Sequence, residues 1–251
     1  MQLGYYSLAI EVTRRCNQQC TNYCMRGPRQ NLDIDLSYIQ RFLDNDFLRV
    51  GTLVFSGGEP TLNPTAVTYA IDYIIQKRIP IQSVSMVTNG LNFSKEVVEA
   101  FERFYTYCYD EFVYLREFAN YFSNITFSND QYHLPISDDV LEKYYDYGPH
   151  IFFSFQGIRD NDILKSGFSE TGKELDTNQK NLRIFGNIVL DLIYLTAKGN
   201  YSVLGDGSYD LLDHYSSDDS VFSQPLDEFC FDHLSASSRP SKAIKKYLKN
   251  R

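Results

Sequence analysis

Short runs rich in β-branched and aromatic residues alternate along this chain with longer segments whose apolar positions recur three and four apart. The first kind predicts strands at Tyr6–Val12, Thr52–Phe55, Ser83–Val87, Asn124–Phe127, Ile151–Phe155 and Leu190–Thr196. The second predicts helices at Leu36–Leu48, Pro64–Lys77, Lys95–Tyr107 and Asp138–Tyr147, with a further one over Asp110–Tyr121. Pro64 suits a first helical turn, where its missing N–H costs nothing. Strands alternating with helices are the signature of a parallel sheet built from βα units.

Beyond about Asn200 the pattern weakens into a Gly-, Ser- and Asp-rich stretch that reads as loop. The tail Arg239–Arg251 has six basic residues, no acidic ones and a helical period. We therefore expect a core domain over residues 1–200 and a C-terminal extension over 201–251 that ends in a basic helix. A charged terminal helix needs no partner to explain it.

At 251 residues, 43% of them hydrophobic, the chain is long and apolar enough to bury one large core. Its net charge of −8 argues against charge-driven contact with nucleic acid or an anionic membrane, both of which need a positive field. No stretch approaches the 18 or so apolar residues of a membrane span, and the first residues lack a secretion signal. A cytoplasmic location is the expectation. In a reducing compartment, five cysteines with three of them inside nine positions read as metal-binding rather than disulfide-forming.

A polar cluster follows each of the first four strands. Thr13–Cys24 follows the first, Ser56-Gly57-Gly58-Glu59-Pro60 the second, Thr88-Asn89-Gly90 the third and Ser128-Asn129-Asp130 the fourth. In a barrel of βα units these ends share one face, where such folds place their active sites. Cys16, Cys20 and Cys24 offer three thiolates, which suit zinc, copper(I) or an iron–sulfur cluster. Structural zinc usually takes four ligands in Cys-x-x-Cys pairs, and no second pair of cysteines is present to complete such a set. A cluster held by three cysteines would leave one iron open.

The cysteine trio after strand one, with an aromatic residue before its last member, followed by Gly-Gly-Glu-Pro after strand two, resembles the radical SAM superfamily over roughly residues 5–196. The resemblance implies a partial (β/α)6 TIM-like barrel with a short C-terminal extension. It also implies a [4Fe–4S] cluster on Cys16, Cys20 and Cys24 whose open iron is chelated by S-adenosylmethionine. Gly57, Gly58 and Glu59 would receive the methionyl amino group. Tyr23 would lie near adenine, Asn89 would belong to the cofactor site, and Ser128 and Asp130 would reach the ribose or the methionyl carboxylate. His133 could face substrate as an acid, base or hydrogen-bond donor. In one respect the pattern departs from the family's usual spacing: three residues, not two, separate Cys20 from Cys24.

The resemblance further implies cleavage of the cofactor to a 5′-deoxyadenosyl radical, hydrogen abstraction from a small-molecule or peptide substrate, and an external one-electron reductant such as flavodoxin or ferredoxin. The alternatives are an activase that installs a glycyl radical on a partner protein and a non-catalytic metal-binding module. Cys108, in an aromatic stretch, reads as a core filler. Gly205-Asp206-Gly207 matches no phosphate or calcium loop, and Cys230 with His233 is a weak metal pair.

Overall fold

The computed structural model describes residues 3–18, 20, 24, 26–157, 182–185, 187–202, 208–216, 220–222 and 226. Tyr23, Gly205–Gly207, Cys230, His233 and the basic tail lie outside the described residues. The elements are β1 (Leu3–Thr13), α1 (Leu36–Leu43), β2 (Phe47–Gly57), α2 (Pro64–Lys77), β3 (Ile81–Thr88), α3 (Lys95–Glu111), β4 (Ser123–Ser128), α4 (Asp138–Tyr147), β5 (Phe152–Gln156), β6 (Leu182–Phe185), β7 (Asn187–Leu195), β8 (Tyr201–Ser202) and α5 (Tyr209–Ser216).

They build one sheet in the order β5-β4-β3-β2-β1-β7-β6, with β8 against β7. β1 to β5 and β7 run parallel, and β6 and β8 pair antiparallel with β7. The six parallel strands are those the sequence pattern predicts. The sixth, β7, lies beside β1 rather than beside β5, so the sheet stays open between β5 and the β6–β7 hairpin. This is the arrangement of a partial TIM-like barrel.

Local chemistry sets the helix boundaries. Asp35 caps α1, accepting from the Ser37 N–H, and Asn63 caps α2 with Pro64 in the first turn. Ser94 caps α3. The helix expected over Leu36–Leu48 stops at Leu43, because Phe47 already belongs to β2 and is buried there. Asp110–Tyr121 is not one α-helix: α3 runs on to Glu111, and a 3₁₀ segment over Val113–Tyr121 follows with a kink at Phe118. Helix α5, in the stretch read as loop, forms where Tyr209 and Leu212 find a buried seat against Ala9 and Tyr194.

Alternation along the strands separates two faces. Leu8, Ile10, Val12, Leu53, Phe55, Val84, Met86, Ile125, Phe127, Ile193 and Leu195 are buried in the main core beneath the helices. Thr52, Ser56, Ser83, Ser85, Asn124, Thr126, Ser128 and Ser154, all half-buried, occupy the other face. Across it Thr52 bonds Ser83 at 2.8 Å and Thr126 bonds Ser154 at 2.9 Å. Barrel interiors are ordinarily filled by Val, Ile and Leu. Small hydroxyls there leave both space and hydrogen-bonding capacity.

Candidate active site

The polar clusters after β1, β2 and β3 are bonded to one another. At the end of β1, the Thr13 carbonyl accepts from the Gly58 N–H and the Arg15 carbonyl from the Glu59 N–H, each at 2.8 Å. Gly57 sits at φ +136°, and a Cβ there would stand 2.1 Å from the Thr13 carbonyl oxygen. A Cβ on Gly58 would stand 2.2 Å from the Arg15 carbonyl oxygen. The glycine pair thus lets the backbone after β2 lie directly against the start of the cysteine loop.

Glu59 is fully buried, and its carboxylate gathers four donors. Oε1 accepts from the Thr61 N–H (3.1 Å), the Thr61 hydroxyl (2.7 Å) and the Thr88 hydroxyl (2.7 Å). Oε2 accepts from the Asn89 N–H at 2.8 Å. Burial pushes the Glu59 carboxyl above its ordinary range, while these donors favour its charged form. Asn89 carries the connection back to the first strand: its amide donates to Asn17 Oδ1 at 2.8 Å and lies 3.9 Å from Cys16 Sγ.

The fourth cluster joins through Gln18, whose amide donates to the Tyr132 carbonyl at 3.1 Å. Asp130 holds its own turn, accepting from the Tyr132 N–H at 2.9 Å and lying 2.7 Å from His133 Nδ1. The Ser128 hydroxyl faces the polar side of the sheet at the end of β4. The structure therefore brings Cys16, Gly57, Gly58, Glu59, Asn89, Asp130 and His133 into one bonded assembly. Tyr23 lies outside the described residues.

The Cys16 and Cys20 thiols are both raised by their surroundings. Burial, and then the charges of Cys24, Cys16 and Asp130, push the Cys20 thiol up to about 11. Burial raises Cys16 as well, with Glu59 and Cys24 adding to it. Among the described residues no three His, Cys, Asp or Glu side chains gather as they would around a single ion. A cubane gives each thiolate its own iron and does not demand that convergence. Three half-buried thiols on one loop are soft donors of the kind such a cluster takes.

Sequence reasoning missed the residues that brace this loop. Arg14 is fully buried and bonds Glu11, Gln30 and Asp213. Arg15 grips Asp33 with two 2.8 Å bonds. Their position directly before Cys16 was the available signal. Cys108 is buried in α3, as its aromatic context predicts.

Residues 10–106 match the family model described as the radical SAM superfamily. No curated protein sequence matches the chain. Similar solved structures include Streptococcus suis SuiB bound to precursor peptide SuiA, at 12% identity and a TM-score of 0.42, covering 95% of this chain and 66% of that one. Native anSMEcpe with bound AdoMet and Cp18Cys peptide is similar at 13% identity and a TM-score of 0.46, covering 91% of this chain and 80% of that one. The chain thus spans 66% of SuiB's length in the first of these. At identities and scores this low, the two structures say nothing about chemistry.

Proposed function

We propose that this chain, whose residues 10–106 match the radical SAM superfamily model, is a member of that superfamily that holds a [4Fe–4S] cluster on Cys16, Cys20 and Cys24 and cleaves S-adenosylmethionine reductively. The observation that carries this reading is the bonding of three strand-end clusters into one assembly by Glu59 and Asn89, with Asn89 touching Cys16. Those groups lie far apart in sequence, and an ordinary set of turns would not need them joined. When bound, the cluster and cofactor would supply a 5′-deoxyadenosyl radical that takes a hydrogen atom from substrate.

The chain's own residues divide the work. Gly57 and Gly58 set the distance between the cysteine loop and the second strand, and Glu59 fixes the third-strand loop against both. The Gly57–Glu59 segment is the receiver for the methionyl amino group, and Tyr23 is the neighbour for adenine. Ser128 offers a hydroxyl to the ribose. Asp130 orients the His133 ring through Nδ1, which leaves Nε2 as the nitrogen for substrate. The substrate is a small molecule or peptide laid on the hydroxyl-lined sheet face, where Ser83, Ser85, Thr126 and Ser154 provide uncharged hydrogen-bonding groups.

The electron comes from an external low-potential donor of the flavodoxin or ferredoxin kind, since iron–sulfur potentials reach down to about −700 mV and cofactor reduction needs the low end. Such chemistry belongs in a reducing cytoplasm. No helix among the described residues is long and apolar enough to cross a membrane.

Replacing Cys20 by alanine tests the assignment. The variant is expected to form no 5′-deoxyadenosine when reconstituted anaerobically and reduced with S-adenosylmethionine present. Cleavage at the wild-type rate would overturn the ligand set.

A further inference from the structure

Helix α5 lies in the part of the chain where the sequence predicted only loop, yet it reaches both ends of the cysteine loop. At the leading end, the fully buried Arg14 places Nη1 and Nη2 3.0 and 2.7 Å from the two Asp213 oxygens. The same guanidinium lies 4.6 Å from the centre of the Tyr209 ring. At the trailing end, the Tyr209 N–H donates to the Arg26 carbonyl at 3.0 Å. The loop's base is closed by Gln30, which donates from its N–H to the Arg14 carbonyl and accepts from Arg14 Nη1, each at 3.1 Å.

We propose that α5 is the clamp of the cysteine loop and that Asp213 is its positioning residue, setting the spacing of the loop's two ends through Arg14 and Tyr209. The proposal rests on the reading of Cys16, Cys20 and Cys24 as cluster ligands. The charges at the clamp balance: Glu11 and Arg14 form one buried pair, Asp213 adds a carboxylate, and Lys198 meets it at 2.7 Å. Glu11 Oε2 accepts from the Arg14 Nε–H and the Ala197 N–H and so holds the Nε edge of the guanidinium, whereas Asp213 takes Nη1 and Nη2. Without Asp213 the fork of Arg14 keeps its charge in the interior and loses the partner that fits it, which is costly wherever one member of a buried pair is removed. The chain can then relieve that cost by moving Arg14, two positions before Cys16.

The test is site-resolved alkylation of the full-length chain, reduced and metal-free, read by mass spectrometry at each cysteine. Cys108, buried in α3, reports global unfolding. In Asp213→Ala, Cys16, Cys20 and Cys24 are expected to react roughly tenfold faster while Cys108 stays protected, as local opening without global unfolding requires. Asp213→Glu should restore slow reaction, and Lys198→Ala, which removes only the exposed partner, should leave it unchanged. Unchanged loop cysteines in Asp213→Ala would overturn the proposal. So would a rise at Cys108 as large as that at the loop cysteines in both Asp213→Ala and the isosteric Asp213→Asn, which would assign Asp213 to the fold as a whole. Because the assay uses no iron, its failure is distinct from a failure to bind a cluster.

Discussion

Gly57→Ala puts a Cβ 2.1 Å from the Thr13 carbonyl oxygen at a residue held at φ +136°, a backbone conformation that an L side chain rarely adopts. Holding alanine there costs about 1–3 kcal/mol. The clash forces β1 and the segment after β2 apart, and so weakens the 2.8 Å bond from the Gly58 N–H to Thr13. That bond is worth about 0.5–1.5 kcal/mol net. The sum, about 1.5–4.5 kcal/mol, is a large fraction of the total of about 5–15 kcal/mol that a domain has to spare. Urea denaturation of the metal-free chain, followed by tyrosine fluorescence since no tryptophan is present, should show the loss. Each kcal/mol moves the thermal melting midpoint by about 2–4 °C at this size, so a parallel thermal melt should show a midpoint lower by about 3–18 °C. A variant within about 0.5 kcal/mol of wild type, the usual range for neutral surface changes, would refute the claim that this glycine exists for contact between the two loops.

Glu59→Gln keeps the shape but turns two hydrogens toward donors that Glu59 now accepts, and should cost about 1–3 kcal/mol without any cofactor in the urea assay; no change would show that the four donors find other acceptors. Asp130→Ala should cost about 1–3 kcal/mol through the stranded Tyr132 N–H and His133 ring, whereas Ser128→Ala should stay within about 0.5 kcal/mol and lower only affinity for S-adenosylmethionine in calorimetry; the reverse order would exchange their roles. Stability should also depend on pH through Asp213. Burial works to raise its carboxyl, but bonds and charges from Arg14 and Lys198 prevail and hold it below the ordinary range. A depressed carboxyl stabilises the fold above its unfolded pKa of about 3.9 and loses that contribution as pH falls through its folded value. Wild type should therefore exceed Asp213→Asn in stability at pH 7, with the gap closing as pH drops below about 4; a gap independent of pH would contradict the ion pair.

The strands were legible because their apolar alternation is strong, and β1 to β5 lie where Tyr6–Val12 and its successors predict them. The Gly-Gly-Glu-Pro segment was legible as a site feature, but not the reason for its glycines, since the carbonyls they meet belong to Thr13 and Arg15, more than forty positions earlier. Glu59 was read as an acceptor for a ligand, and its ties to Thr88 and Asn89 follow from β2 and β3 being neighbours, a tertiary fact. Helix α5 escaped notice because its short apolar face has meaning only against Ala9, Tyr194 and Arg14, which no local period encodes. The same holds for β7 beside β1: periodicity identifies a strand but not its neighbours.

The most direct test of the central claim is anaerobic reconstitution of the full-length chain with iron and sulfide, followed by metal analysis and EPR of the dithionite-reduced protein with and without S-adenosylmethionine. The account predicts about four iron and four sulfide per chain, the content of one cubane. It also predicts a reduced-cluster signal that changes when S-adenosylmethionine is added, since the cofactor binds the open iron. Zinc without iron or sulfide, or a cluster signal indifferent to S-adenosylmethionine, would contradict it.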